Sequence, residues 1–536
     1  MEGAQTLDSR NLETIIFYEH HGRQLRLQNQ NSALNDSLSY ILTGAPALPA
    51  QISPPMRAMQ EVTEYVRNKL ETLELKEILI LNKRLINQAK FIWVDLATEV
   101  VNRYLAFDAI NYRGLPLSEF DKIKNFCILV DQTRELKTNP EDEWYKAISQ
   151  LEAFDVSSRK NEAAFITELY SSFHGELVIS NLVHSKFVKK YHKLLISSNP
   201  GLESDLKTFI GLWGVYAKSF GFISTTKDRS MNYGTLCSSE AGTWLDRLAN
   251  MDLQTITRSI LTASHLREGQ NGFEKIVRAC EILTFRVYAT MKFRVNKNAI
   301  KINRLARDVL RVGNDHQYIV DQICIWLEEL APIKKFLLRI ADGEAKYNYD
   351  PRVTGWNHCY YFLYEYEIDC SPVGVKPFPW ATQKMTKVNT QEHILPQGNR
   401  DGDWWEGHWP DEAEAESFKH RLGNLVLTSG NLILSRKPFD QKLSDTSTKY
   451  YYNHSKATNT EKLITNFTNG TDWLKDNILA REVAMIKFAA ERWSMPCCFD
   501  NGVVNLPEVY KDNCYGGNEE DADPEIHEDI ENMLDD

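Results

Sequence analysis

The sequence predicts a mainly α protein with a small α+β part, and three features carry that expectation. Apolar residues recur at three- and four-residue intervals through most of residues 140–349, the pattern of helices with one buried face. Strand signals are short and few. The clearest are residues 390–395, ended by Pro396, and 425–428, followed by the turn signal Ser429-Gly430-Asn431. No period of 20–50 residues repeats, which argues against a solenoid.

Taken in order, residues 1–58 give mixed signals: 12–18 could open a strand or a helix, 35–42 reads as helical, and the four prolines within 44–55 mark a loop. Val62, Val66, Leu70 and Leu73 predict a helix over 59–80, and 91–96 is β-rich. Ser118 with Asp121 has the form of a capping box at the start of a helix running through Phe126 and Leu129. Helices are then expected over 144–154, 161–173, 177–194, 206–220, 272–288 and 318–341. Between 297 and 311, Lys297, Lys301, Arg304, Arg307 and Arg311 recur at helical spacing, with Ile302, Leu305 and Val309 on another face. Such a stripe can follow a nucleic-acid backbone, although a solvated face is the plainer reading. The aromatics of 356–367 read as packing residues, and 473–493 is a further amphipathic helix. Trp404, Trp405 and Trp409 read as an insertion packed on its own domain, while His408, His420 and His454 have no motif context and read as surface histidines.

A chain of 536 residues suggests three or four domains. Its composition is that of a globular protein, with 43% hydrophobic and 25% charged residues. No run of 18 apolar residues is present, and Glu2, Asp8, Arg10, Glu13 and Glu19 interrupt the start, so no membrane association and a cytoplasmic location are expected. Nine cysteines without a Cys-x-x-Cys pair indicate neither a zinc ribbon nor a disulfide framework. The net charge of −11 is concentrated in the tail, where ten acidic residues and no Lys or Arg occur between 518 and 536. The body is therefore near neutral, and binding to a polyanion would depend on local basic patches.

The chemistry centres on two blocks between 391 and 442. The first reads Gln391-Glu392-His393-Ile394-Leu395-Pro396-Gln397; the second reads Leu422-Gly423-Asn424-Leu425-Val426-Leu427-Thr428-Ser429-Gly430-Asn431 and ends in Pro438-Phe439-Asp440-Gln441-Lys442. Phosphodiester hydrolysis at neutral pH needs a base for water, a divalent cation for the developing charge, and oxygen ligands for that cation. Glu392 and Asn431 offer hard oxygen donors of the kind Mg²⁺ takes, and the ordinary pKa of His393 lies close to neutrality. Two strands and a following helix would set position 393 opposite position 431.

These blocks resemble the HNH, or ββα-metal, nucleases, in the variant that ends GmrSD-type modification-dependent restriction enzymes. Leu422, Gly423, Asn424, Leu425, Leu427, Thr428, Asn431, Pro438, Phe439 and Lys442 fall at matching positions. The resemblance implies His393 as general base and Glu392 with Asn431 as ligands to Mg²⁺ or Mn²⁺. It implies Asn424 as a brace for the loop carrying His393, and Lys442 facing a phosphate or pinning the motif's helix. The substrate implied is DNA, in defence against foreign or modified sequences.

A second block, Phe107-Asp108-Ala109-Ile110-Asn111-Tyr112-Arg113-Gly114, is similar to the end of the nucleotidase domain that opens these enzymes. It makes Asn111, Arg113 and Gly114 candidate neighbours of a nucleotide's phosphates. The family's Asp-Gly-Gln-Gln-Arg element is missing, and Gly22-Arg23-Gln24-Leu25-Arg26 is not its equivalent. The expected organisation is thus a partial nucleotidase-like domain (1–130), an irregular helical linking domain (131–350), an HNH-like nuclease domain (351–495) and an acidic tail (496–536). Either a separate protein carries the missing nucleotidase half and, with it, any bound nucleotide, or the nucleotide function is lost. Two other readings remain open: a regulatory subunit that keeps the fold without turnover, and an RNA-directed nuclease toxin.

Overall fold

The computed structural model describes residues 17–19, 23–25, 38–40, 54–90, 117–268, 272–313, 315–341, 358–372, 380, 390–398, 403–468 and 470–495. The fold is mainly helical with a small β part. Among the described residues there are two antiparallel two-stranded sheets: β1 (Phe17–Glu19) with β2 (Arg23–Leu25), and β3 (Thr390–His393) with β4 (Leu425–Thr428). No helix is long and apolar enough to cross a membrane among these residues. The strand expected over 91–96, Asn111, Arg113 and Gly114, and the acidic tail lie outside them.

Several expected helices divide at identifiable residues. The helix expected over 59–80 is two, Pro54–Glu71 and Leu75–Gln88, because Glu74 starts a new N-terminus by accepting the backbone N–H of Glu77, whose carboxylate in turn takes the backbone N–H of Glu74. The expected 206–220 is Pro200–Gly211 followed by Trp213–Ser224, joined at Leu212. Pro332, without an N–H, separates His316–Leu330 from Ile333–Ala341. The helix Phe273–Leu283 runs into a fully buried π turn, Thr284–Thr290. At Ser118 the capping box forms: Ser118 Oγ accepts the N–H of Asp121, and the Asp121 carboxylate accepts the N–H of Ser118.

The chain forms two compact units, and neither is continuous in sequence. The first takes in residues up to Ser238, then Arg258–Asn271 and Asn298–Asn314; the second takes in Ser239–Thr257, Gly272–Lys297 and residues from Asp315 onward. In the first unit an aromatic core of Phe120, Phe165, Phe209, Trp213, Tyr216 and Phe220 is fully or almost fully buried. The unit holding β3 and β4 thus begins at Ser239, well before residue 351.

That second unit buries an unusual load of charge. Glu281, wholly buried, accepts from the Tyr361 hydroxyl at 2.6 Å, the Arg492 guanidinium at 3.0 and 3.1 Å, and Trp493 Nε1 at 3.1 Å. Glu365 takes the third Arg492 nitrogen at 2.9 Å and lies 3.3 Å from Arg247. Each carboxylate is therefore matched by cations and by directed donors, the condition under which buried charge is tolerated. Cys127, Cys237, Cys280, Cys359 and Cys370 are free thiols, whereas Cys324 is disulfide-bonded.

The helix Lys475–Arg492 lies against the turn Leu422–Asn424 so closely that a Cβ on Gly423 would stand 2.0 Å from the carbonyl oxygen of Ile478. Here glycine is required by backbone approach, not by its torsion. Gly423→Ala is therefore expected to destabilise the protein by about 3 kcal/mol or more, the upper end of overpacking penalties, read as a lower urea midpoint at unchanged slope.

Candidate functional site

β3 and β4 are each four residues long and pair with Thr390 against Thr428 and His393 against Leu425. β4 is buried along its whole length, as is the Glu392-His393 end of β3. The pair is held from behind by Trp405, Trp409, Phe439, Tyr452 and Trp473, all nearly or fully buried. Trp405 and Trp409 are thus core residues, and their indole N–H groups donate to the carbonyls of Lys437 and Trp473. Trp404 stacks on His408 at 3.8 Å.

A pocket of about 280 Å³ opens at the end of this sheet, and Glu392, His393 and Asn431 line it together with Gln397, Gly398 and Arg436. Three residues chosen from two sequence blocks therefore meet in one concavity. The expected placement of 393 opposite 431 is corrected in detail: His393 faces Leu425, and the Asn431 amide reaches the first half of β3. Its Nδ2 donates to Thr390 Oγ1 at 2.7 Å and to the Gln391 carbonyl at 2.9 Å. Both amide protons are used inward, which leaves Oδ1 as the free end.

His393 is buried, and its Nε2 lies 3.2 Å from His420 Nδ1 and 3.0 Å from Gln397 Nε2. Burial, reinforced by His420, Lys442 and Lys419, pushes its pKa down to about 3, so the imidazole is neutral across the working range. His420 is therefore not the plain surface histidine expected. It is partly buried, packs edge-on to His393 at 5.2 Å, and burial lowers its pKa as well. No spacing rule ties 420 to 393; its place two residues before the Leu-Gly-Asn turn was the available signal.

Lys442 is wholly buried, and its ammonium has three acceptors: Glu392 Oε1 at 2.6 Å, the Ile394 carbonyl at 3.0 Å and the His393 carbonyl at 3.2 Å. All three protons are spent on the strand that carries His393, so this side chain pins the motif from inside. Burial pushes the Glu392 carboxyl up and the Lys442 ammonium down, and the contact between them opposes both shifts. Asn424, also fully buried, has a saturated amide. Its Oδ1 accepts from Leu395 N and Trp473 Nε1, and its Nδ2 donates to the carbonyls of Leu395 and Lys419, all at 2.8–3.0 Å.

Three charged supports lie outside the motif blocks. Glu482 binds the Arg421 guanidinium at 2.7 and 3.1 Å, Arg481 donates to the carbonyls of Gly423 and Leu425, and Glu461 accepts from Tyr450 OH at 2.6 Å and Thr458 N at 2.8 Å. The Tyr450 ring fills the space beside Gly430, where a Cβ would stand 2.0 Å from it. This packing sets the turn from which Asn431 projects.

The basic stripe is partly committed within the chain. Arg311 pairs with Asp205 at 2.7 Å, donates to the Phe173 carbonyl and covers the Phe173 ring, while Arg307 pairs with its neighbour Asp308. Arg304 and Arg307 pack over Gly175. Lys301 shares the helix Ala299–Val312 with these arginines, whereas Lys297 belongs to the second compact unit. The stripe is thus not a row of five solvated cations.

Two stability tests follow. Lys442→Met leaves Glu392 buried and unpaired, and a loss of about 3–5 kcal/mol is expected by urea unfolding, with partial recovery in the Glu392→Leu/Lys442→Met double variant. Burial raises the Glu461 pKa to about 7 from 4.5. A raised carboxyl pKa contributes stability that is complete below the unfolded value and is lost as pH rises through the folded one. Glu461→Gln should therefore flatten the decline in Tm between about pH 4.5 and 7, with a difference on the order of 3 kcal/mol at the alkaline end.

No curated protein matches the chain. Residues 341–488, a little over a quarter of its length, match the family model described as GmrSD restriction endonucleases, C-terminal domain, so the part of the chain that carries this pocket is similar to the C-terminal domain of a restriction endonuclease.

Proposed function

We propose that this pocket is the active site of an HNH-type, metal-dependent endonuclease acting on DNA in defence against foreign or modified sequences. The observation that carries the reading is the meeting of Glu392, His393 and Asn431 in one pocket, within the segment similar to a restriction-endonuclease domain. Among the described residues no cluster of three or more His, Cys, Asp or Glu is arranged to hold a metal. The oxygen donors of Glu392 and Asn431 suit Mg²⁺ or Mn²⁺. Such ions are held by one or two protein oxygens and keep water or substrate phosphate in the remaining positions. Glu392, with one oxygen on Lys442, and Asn431, with both amide protons turned inward, each retain an oxygen for this purpose. The bound ion would stabilise negative charge on the phosphate.

In this reading the neutral ring of His393 accepts a proton from the attacking water. The accepting atom is Nε2, where the water takes the place of the Gln397 amide that donates to it here, and His420 packs against the ring. Asn424 fixes the residue two positions beyond the base, and Lys442 fixes the base's own carbonyl, so neither needs to touch substrate. Positioning of this kind matters because small displacements of a catalytic group are costly in rate. The reading includes a separate polypeptide that completes the nucleotidase-like part suggested by Asn111, Arg113 and Gly114 and gates the activity through its nucleotide.

The test is plasmid nicking with Mg²⁺ or Mn²⁺, with the chain alone and with the product of the adjacent gene. Wild type is expected to nick, EDTA to abolish nicking, and His393→Ala and Glu392→Gln to reduce it at least about 100-fold with the fold retained by circular dichroism. Equal nicking by wild type and His393→Ala would remove the base assignment. No nicking under any condition, with RNA substrates included, would favour the regulatory subunit.

A further inference from the structure

The pocket has a cation that the motif does not supply. Arg436 is exposed, lines the same concavity as Glu392, His393 and Asn431, and forms no hydrogen bond or ion pair among the described residues. It stands apart from its basic neighbours in this respect: Lys437 reaches Asp445 at 3.3 Å, Arg421 is held by Glu482, and Lys419 by Glu416.

Two backbone features direct it there. The short helix Asn431–Leu434 is closed by Ser435 at φ 39°, ψ −124°, a left-handed region that a serine enters only at a cost. The strained residue immediately precedes Arg436 and itself lines the pocket. Gly398, which also lines the pocket, leaves room for the guanidinium: a Cβ at 398 would stand 2.8 Å from one terminal nitrogen and 3.1 Å from the central carbon. A bend at 435 and an opening at 398 thus place a planar, permanently charged fork beside the residues proposed to act on a phosphodiester. A guanidinium is suited to two non-bridging phosphate oxygens at once, in a way an ammonium is not.

The geometry points to Arg436 as the residue that grips the DNA phosphate at or next to the bond being cut. This assignment rests on the nuclease reading above. It differs from the basic stripe at 297–311, which has internal partners for two of its arginines and no part in this pocket. The contact carries no sequence information, since every phosphate presents the same oxygens.

The experiment uses the full-length chain in a His393→Ala background, so that DNA is bound and not consumed. Binding of two fluorescently labelled 25-base-pair duplexes of unrelated sequence is measured with Mg²⁺ from 50 to 200 mM KCl, for Arg436 and for the Arg436→Ala and Arg436→Lys variants. Arg436→Ala is expected to weaken both duplexes equally, by about tenfold at the low-salt end, and to reduce the slope of log K against log salt by about one. Arg436→Lys should restore most of the slope and only part of the affinity. In the catalytically intact background, Arg436→Ala should raise KM for plasmid. Unchanged affinity and slope in Arg436→Ala would overturn this assignment and leave the nuclease reading standing. A wild-type chain that neither binds nor nicks DNA would overturn both.

Discussion

The arrangement of the pocket depends on the amide of Asn424. Its four hydrogen bonds join the residue just past His393, the helix end at Lys419 and the core indole of Trp473 through one side chain. An asparagine has two donors and two acceptor sites, and here each is matched, so any movement of the strand end breaks a bond that water cannot replace. Three further supports attach beside what this amide fixes: Lys442 to the carbonyls of His393 and Ile394, Arg481 to those of Gly423 and Leu425, Trp473 to its oxygen. A two-stranded sheet of four-residue strands has little stability of its own, which is why so much buried polarity surrounds it.

That polarity has a common design. Glu281, Glu365, Glu367, Glu482, Arg481, Glu392 and Lys442 are all nearly or fully buried in one unit. Desolvation would make such groups a liability if any lost its partner, and each is tied to an opposite charge, to backbone groups or to both. Glu367, for example, accepts the backbone N–H groups of Asn459 and Thr460. Buried networks of this type favour one arrangement strongly over near alternatives, a property that the proposed function would use to hold Glu392 and His393 in place.

Much of this was legible in the residues. β4, the amphipathic helices, and the capping box at Ser118 follow from period and local chemistry, and the pocket gathers Glu392, His393 and Asn431 from two short blocks. What escaped the sequence is what depends on contact between distant segments. His420 lies 27 residues from His393, and nothing in one dimension ties the two. Arg436 reads as an ordinary basic residue until Ser435 bends and Gly398 makes room. The helix expected over 59–80 broke because a local cap at Glu74 outcompeted continuity of the apolar pattern, and 318–341 broke at Pro332. That the second compact unit draws on residues 239–257 and 272–297 is likewise not written in spacing, which carries no record of which helix packs on which.

The order in which this chain leaves the ribosome gives the buried carboxylate of Glu281 a consequence beyond packing. Its partners Arg492 and Trp493 are synthesised 211 and 212 residues later. Until they emerge, Glu281 has no cation, and the helix that brings them also carries the Arg481 and Glu482 that brace the Leu422–Asn424 turn. Domains usually fold as they are made, front to back. Here the bracing of the Leu422–Asn424 turn waits for residues 481 and 482, so a polypeptide that stops before them lacks the support behind the pocket, and in the proposed reading it has no working centre.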